Sequence, residues 1–458
     1  MFSYIKIEDF CNLTNFEMEF ENKKDTISNI NLNVLIGKNG TGKSCLLDAL
    51  FEIGTNNLKS KESEEDATSF KYQIKIKTEN GTKTLCAKPN IKNTEMVDEP
   101  KKFLWDKIFR LYTGSTKRYS SDFSQNIMDF NEKNIKYILP AIFFTSYGTN
   151  LTKYTEDSNI KDILKLTSGC NINDDCESTI NPVVVWLEIN IDEGYTLDDV
   201  IKILNIKQPD YKSIEKNSIK CFWKIDKDIT TNVQNKPLNI LYTMLEAPHI
   251  VDAGFLYEKS EKPGLYYTEQ SLSDGELGVF SRLALLIILG IENKNVETPE
   301  KYLILLDEPE THFNENWKIH FINLIDKIFS NAKVQHDIFI ATHSAMLVTD
   351  LKKEELHRLY KTQHGGVKAT TIPFCTFGGN VIDIGRTLFE MDSDIGERAK
   401  DEIKEALNND NVEKLNKLLH QVGAGEWRWK IRSKINQLEK ADMCCNFKIK
   451  DQELENEK

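Results

Sequence analysis

The chain has 458 residues, 40% hydrophobic and 28% charged, which supplies a sizeable core for more than one domain and excludes a disordered or fibrous chain. Lys and Arg number 59 against 71 Asp and Glu, a net charge of −12, so bulk nucleic-acid binding is excluded and any DNA contact needs a local basic patch. The longest nearly apolar run, 283–291, is about half a membrane span, Lys6, Glu8 and Asp9 interrupt the opening residues, and nine cysteines without a CxxC pair read as reduced thiols. A cytoplasmic protein with no membrane association is expected.

In chain order, Tyr4, Ile5 and Ile7, then Phe16, Met18 and Phe20, alternate with polar neighbours, the period of a half-buried antiparallel sheet. Residues 32–36 form a short apolar strand ending at Gly37. Leu46, Leu47, Leu50 and Ile53 share one side of a helix over 44–53. From about 55 to 247 lysine, asparagine, aspartate and serine become frequent and the periodicity breaks. This stretch reads as one inserted lobe, with a charged loop at 59–66, strands at 72–76, 138–145, 183–191 and 218–225, and a short helix at 196–204. A hairpin follows (254–257 and 266–268, turned at Pro263-Gly264), then a long apolar helix over 275–291, a buried strand at 302–306, a helix at 316–329 and a buried strand at 338–341. Strands alternating with helices predict an α/β fold. The expected layout is a discontinuous head (1–54 and 248–376) with a mixed sheet flanked by helices, the inserted lobe (55–247), and a mainly helical C-terminal segment (377–458). No repeat or sustained heptad is visible.

Gly37-Lys38-Asn39-Gly40-Thr41-Gly42-Lys43-Ser44 fits G-x-x-x-x-G-K-[ST] between a strand and a helix. Such a loop turns backbone N–H groups toward phosphates, and the following helix adds its positive end. Lys43 would reach the β- and γ-phosphates and Ser44 would ligate Mg²⁺, with Cys45 next in the helix, so ATP and Mg²⁺ are the expected cofactors. Leu303-Ile304-Leu305-Leu306-Asp307-Glu308 is an apolar strand ending in two acids. Asp307 is expected to hold Mg²⁺ and Glu308 to polarise the attacking water as general base. Ser273, Gly275 and Glu276 open the long helix. Ser273 with Glu276 forms a capping box, and the same geometry presents amides as a second phosphate-binding surface. His343, just past a buried strand, is a candidate partner for the γ-phosphate.

The order P-loop, L-S-x-G-E, acid-ended strand, histidine resembles that of the ATP-binding-cassette ATPases. Ser273 lies 229 positions after Ser44, Asp307 lies 34 after Ser273, and His343 lies 35 after Glu308, so the wide first interval places an insertion before the signature. No glutamine stands in 143–147, where a Q-loop would fall. Tyr4-Ile5-Lys6-Ile7-Glu8-Asp9-Phe10 ahead of Gly37-Lys38-Asn39-Gly40 resembles the RecF/SMC/OLD branch, with Cys11 in place of the usual basic residue. Asp307-Glu308-Pro309-Glu310-Thr311-His312-Phe313 resembles the box of OLD-like AAA15/AAA21 ATPases. The stretch from Phe377 to Ile384 and that from Ile395 to Lys400 resemble the tail of stand-alone ATPase subunits in bacterial anti-phage systems such as PARIS and septu. The resemblance covers about half the chain. It implies a homodimer or higher homo-oligomer formed through the ATP sites, Ser273 of one chain completing the site of another. It also implies a separate effector nuclease from a neighbouring gene, toprim-like or HNH, and a phage-derived trigger, with DNA contact not required. The alternative is a RecF-like DNA-repair ATPase that clamps DNA. A transporter or translation cassette does not fit one cassette with so long an insertion.

OLD nucleases continue after the histidine into a toprim domain, whereas 115 residues follow His343 here. Asp392-Ser393-Asp394 lacks a preceding apolar strand and reads as a capping loop, so no intrinsic nuclease is expected. Arg428, Lys430, Arg432 and Lys434 lie beside Trp427 and Trp429. That helix either docks its tryptophans on the head or contacts nucleic acid or an acidic partner.

Overall fold

The computed structural model describes residues 2–20, 30–59, 69–78, 81–87, 104–113, 124, 126–131, 134–145, 180–191, 196–215, 217–225, 236–259, 262–292, 300–329, 334–363 and 365–456. The chain forms two compact units, residues 1–384 and 385–458. Strands of the first unit are β1 (Phe2–Phe10), β2 (Leu13–Glu19), β3 (Ile30–Ile36), β4 (Tyr72–Thr78), β5 (Gly81–Ala87), β6 (Lys107–Tyr112), β7 (Ile127–Phe130), β8 (Ile180–Asn190), β9 (Tyr211–Ile214), β10 (Ser218–Lys224), β11 (Ile250–Lys259), β12 (Lys262–Thr268), β13 (Lys301–Asp307), β14 (Gln335–Ala341), β15 (Leu356–Lys361) and β16 (Val367–Thr371). Helix α1 (Lys43–Lys59) follows β3, and the short α2 (Ile138–Phe143) follows β7.

Strands buried on both faces read as continuous apolar runs, and here they form a parallel sheet. Its order is β16-β15-β3-β14-β13-β6-β7. All pairings are parallel except that of the edge strand β16. β3 is buried at all seven positions, including two asparagines. Each asparagine is met by a neighbouring strand, as burial of an amide demands. Asn31 Nδ2 donates to Asp337 Oδ1 at 2.8 Å, and Asn33 Oδ1 lies 3.1 Å from His357 Nε2. Trp105 Nε1 donates to the other Asp337 oxygen at 2.8 Å.

A second sheet, β2-β1-β4-β5, is antiparallel throughout. Its alternation sends Ile5, Ile7, Leu13, Phe16, Ile74 and Ile76 into one core. That core also holds Leu46, Leu47, Leu50 and Ile53 of α1 and Leu303, Leu305 and Phe339 of the parallel sheet. A third antiparallel sheet, β12-β11-β8-β10-β9, is centred on β8. α2 packs on it, with the Phe143 ring 5.2 Å from Phe255 and the Phe144 ring 5.0 Å from Trp223.

Three expectations change. The stretch expected to form one inserted lobe (55–247) contributes strands to all three sheets. β4 and β5 complete the antiparallel head sheet, β6 and β7 extend the parallel sheet, and β8 to β10 pair with the hairpin expected to lie beyond the lobe. Residues 138–143 are a helix, not a strand. All six of its side chains are buried, so no polar stripe marks the helical period, and Pro140 sits in the first turn, where a missing N–H costs nothing. Pro263 and Gly264 lie inside β12. Lys259 pairs with Lys262 after a bulge, so Pro263-Gly264 is not the turn of the hairpin; residues 260–261 lie outside the described residues. Most of the 59–66 loop and residues 146–147 lie outside them too.

In the second unit helices Glu397–Asn408, Val412–Gln421 and Glu426–Asn456 enclose Ile403, Ala406, Leu415, Leu418, Ile431 and Ile435. Asn411 caps its helix by accepting from Lys414 N at 2.9 Å. Arg428 Nη1 donates to the carbonyls of Leu419 and Val422, both at 2.6 Å, satisfying a helix end. Trp427 packs against this unit's own core and donates to Asp394 Oδ1 at 3.2 Å, while Arg386 lies 3.2 Å from the same oxygen. Asp394 is thereby committed to Trp427 and Arg386. Trp429 is 67% exposed. Among the described residues no helix is long and apolar enough to cross a membrane.

Asp337 is the acceptor for two buried donors on different elements. Asp337→Ala strands both, so a loss of about 3 kcal/mol or more is expected in urea unfolding followed by tryptophan fluorescence. A wild-type midpoint would refute this account of the strand asparagines.

Candidate functional site

β3, β13 and β14 end side by side, and the chemistry-bearing residues follow those ends. After Ile36 the chain turns through Gly37, Gly40 and Gly42, with φ of 150°, 73° and 91°. Space forbids a side chain at the two outer positions. A Cβ on Gly37 would stand 2.3 Å from the Leu359 carbonyl oxygen, and one on Gly42 would stand 2.9 Å from Asn12 Oδ1. Thr41 closes the turn, its N and Oγ1 donating to Lys38 O at 3.2 and 2.8 Å. Lys38, Asn39 and Gly40 form the exposed crest. Asn12 Nδ2 steadies that crest by donating to Gly40 O at 3.2 Å.

Lys43 opens α1 with its side chain folded over the loop. Nζ donates to Gly37 O at 2.9 Å and Lys38 O at 3.2 Å. Burial pushes its ammonium down to about 8, against the opposing pull of Glu308, Asp307 and Glu310. Asp307 ends β13 and is 6% exposed. Burial raises its carboxyl to about 6, opposed by the Ser44 hydroxyl bonded to it and reinforced by Glu308 and Asp48. Two hard oxygen donors, Ser44 and Asp307, thus meet beside the loop, a donor set that suits Mg²⁺. The Cys45 thiol, next in α1, sits against Cys11 and the Asn12 amide, and burial raises it to about 11.

Glu308 leaves the strand in the left-handed region, φ 50°, a conformation that costs a non-glycine residue about 1 kcal/mol or more. Neighbours hold it there. Glu308 N donates to Ala341 O at 2.9 Å, and Thr113 Oγ1 donates to the Asp307 and Glu308 carbonyls, both at 3.0 Å. The turn points the Glu308 carboxylate outward, 3.4 Å from His343 Nε2. Burial, then Lys43, lowers the His343 imidazole below its ordinary value, with Glu308 pulling the other way. The shift favours the neutral imidazole, a hydrogen-bonding group.

The structure brings Gly37 to Ser44, Asp307, Glu308 and His343 together. Ser273 and Glu276 form a capping box at the start of helix Asp274–Glu292, with Gly275 between them. Ser273 N and Oγ donate to Glu276 Oε2, both at 2.8 Å, and Glu276 N returns a bond to Ser273 Oγ at 3.2 Å. Ser273 is exposed. A Cβ on Gly275 would lie 3.2 Å from His312 O, so this helix end abuts the turn after β13.

Sequence reading missed the residues that hold the site from a distance. Arg110 of β6 is 4% exposed. It bonds Asp129 through Nε and Nη2 at 2.9 and 2.6 Å, and Asp48 of α1 through Nη1 at 3.2 Å. Its guanidinium carbon lies 3.7 Å from the Phe51 ring centroid. The P-loop helix is thus tied to the edge of the sheet by a desolvated charge pair. Thr113, Asn12 and Lys361, whose Nζ lies 3.5 Å from a Cβ built on Gly40, belong to the same group. None carries a local pattern; only pairing of distant strands brings them in.

A P-loop between strand and helix, beside a parallel strand ending in two acids, defines a P-loop ATPase. Residues 1–348 match the model of the AAA ATPase domain, about three quarters of the chain. The chain belongs to that AAA ATPase family and is an ATPase. No curated protein matches it. Among solved structures, the SMC head domain from Thermotoga maritima aligns with a TM-score of 0.36 at 12% identity, over 81% of this chain and 99% of that one. An SMC head bound to the C-winged helix domain of ScpA aligns with 0.36 at 11%, over 81% and 97%. One with an extended coiled coil, bound to the C-terminal domain of ScpA from Pyrococcus furiosus, aligns with 0.35 at 11%, over 81% and 96%.

Lys43 is the residue expected to meet an incoming phosphate, and burial pushes its ammonium down to about 8. Nucleotide affinity is therefore expected to hold below pH 8 and to fall by up to about tenfold per unit above it. In Lys43→Arg, whose guanidinium does not titrate, the same titration with a fluorescent ATP analogue from pH 7 to 9.5 should be flat. Parallel pH profiles for the two proteins would remove Lys43 from the phosphate site.

Proposed function

We propose that this chain is the ATP-binding and hydrolysing sensor and scaffold subunit of a bacterial anti-phage defence complex, working as a homodimer or higher homo-oligomer that retains and releases a separate effector nuclease. The observation that carries the reading is the division of the site. Gly37 to Ser44, Asp307, Glu308 and His343 converge within one chain, while the capped helix start at Ser273 is exposed and bonded to its own Glu276. An exposed amide end suits the nucleotide of a second chain.

The loop amides and Lys43 bind and orient the phosphates. Ser44 and Asp307 would hold Mg²⁺, which neutralises phosphate charge when bound. Glu308 takes the proton of the attacking water, and neutral His343 fixes the Glu308 carboxylate and the γ-phosphate side of the site. Closure of two chains on ATP is a two-state element that a phage-derived trigger can bias, linking effector retention to nucleotide state. DNA contact is not required.

Glu308→Gln should bind ATP as the wild type does and lose roughly 10²–10⁴ in kcat, because an amide cannot accept the water's proton. Ser273→Arg should block closure and hydrolysis. Wild-type turnover by Ser273→Arg would show that each chain hydrolyses alone.

Co-expression with the neighbouring gene, using Glu308→Gln to hold the ATP state, is expected to give a stable complex with a toprim-like or HNH nuclease in pull-down. Failure to co-purify in every nucleotide state, with tight ATP-dependent DNA binding, would transfer the chain to RecF-like DNA repair.

A further inference from the structure

The turn after β13 carries a carboxylate that hydrolysis as described does not use. Glu310 is 6% exposed. One of its oxygens accepts from Thr342 Oγ1 and from His343 N, the latter at 3.3 Å. Its other oxygen, Oε2, has no hydrogen-bond partner among the described residues. Burying a half-satisfied carboxyl is costly, and an apolar residue of similar size would avoid the cost. The bonds it does make therefore call for a purpose beyond packing.

Those two bonds set the path of the chain past β14. Thr342 Oγ1, donating to Glu310, also accepts from Ser344 N at 2.9 Å, and Ser344 Oγ accepts from Leu347 N at 3.4 Å. Residues 342–344 hang from Glu310 through one hydroxyl and one amide, and the His343 imidazole falls 3.4 Å from Glu308 as a result. Glu310 is itself held from behind. Arg282, 5% exposed on helix Asp274–Glu292, donates through Nη1 to Pro309 O at 2.9 Å and to Thr311 O. Those are the carbonyls on either side of Glu310. The bonds of Glu310 run to Thr342 and His343 and those of Arg282 to the carbonyls beside Glu310, so both residues are read as acting through others.

We infer that Glu310 is a positioning residue for hydrolysis, anchoring the backbone at His343 so that the imidazole faces Glu308, and that Arg282 fixes Glu310 from the helix opened by Ser273. The inference rests on the reading of Glu308 and His343 as the hydrolytic pair.

The test uses the full chain and three readouts: ATP affinity, kcat, and amide hydrogen exchange of residues 341–345. Glu310→Ala is expected to lower kcat by about tenfold or more while ATP affinity stays within about threefold, because misplacing a group costs rate before it costs binding. Glu310→Gln, which keeps an acceptor for Thr342 and His343, should recover most of the rate. In a His343→Ala background Glu310→Ala should add less than about a twofold loss, since both act on one imidazole. Exchange at 341–345 should rise by about tenfold in Glu310→Ala and also in Arg282→Ala, whose bonds to the carbonyls of residues 309 and 311 flank Glu310. Wild-type kcat in Glu310→Ala, multiplicative losses with His343→Ala, or unchanged exchange would each overturn the inference. Should Glu310→Ala not fold, Thr342→Val carries the same prediction, and wild-type turnover there would overturn it. If Glu308→Gln and His343→Ala themselves hydrolyse normally, the hydrolytic pair is misassigned. If they fail and Glu310→Ala does not, only the positioning role falls.

Discussion

Parallel pairing of β3, β14 and β13 in one register is the constraint from which the site follows. Leu35 stands opposite Ala341, and Ala341 opposite Asp307. The ladder continues past the strands, with Thr342 N bonding Leu35 O at 3.1 Å and Glu308 N bonding Ala341 O at 2.9 Å. The P-loop, the acid pair and the histidine therefore leave the sheet at one level. A slip by a single residue would turn Asp307 to the opposite face and part it from Ser44. The asparagines inside β3, each matched to a polar group on a neighbour, oppose such a slip more sharply than apolar side chains could.

Low polarity then gives those residues their character. Lys43 and Asp307 are both pushed toward neutrality, the one down to about 8 and the other up to about 6. Glu310 is displaced upward by its burial as well. Lys43 and Asp307 are held near the point where a neighbouring charge changes their protonation, the usual condition of residues that bind or move charge. The same desolvation makes the Arg110 pair with Asp129 and Asp48 a rigid tie, because removing one member would leave a buried charge uncompensated.

What could be read from the chain alone was what short segments specify. The P-loop needs a strand, glycines and a helix within about fifteen residues, and Asp307 and Glu308 end a strand whose apolar run is contiguous. The capping box of Ser273 and Glu276 is likewise local, and the structure has all three of its bonds. Thr113, Arg110, Arg282 and Glu310 were illegible because their roles exist only across elements; Thr113 Oγ1 reaches a carbonyl 194 positions away. Sheet membership failed for the same reason. β4 pairs with β1 and β6 with β13, so a region of irregular composition supplies strands to two sheets already begun or still to come. α2 was misread because a helix buried all round has no polar face to show its period.

The central strand also dictates an order of events during synthesis. β3 leaves the ribosome early, but its partners β14 and β15 come some 300 residues later, Asn31 and Asp337 being 306 positions apart. At roughly 5–20 residues per second, β3 waits on the order of 15–60 s for the strand that buries it. Until then it lacks the strands that pair with it on either side, and the loop behind it has neither Asp307 nor His343 beside it. The nascent chain therefore has no ATP site to fill. The residues of the site are all present only in a chain translated past residue 343.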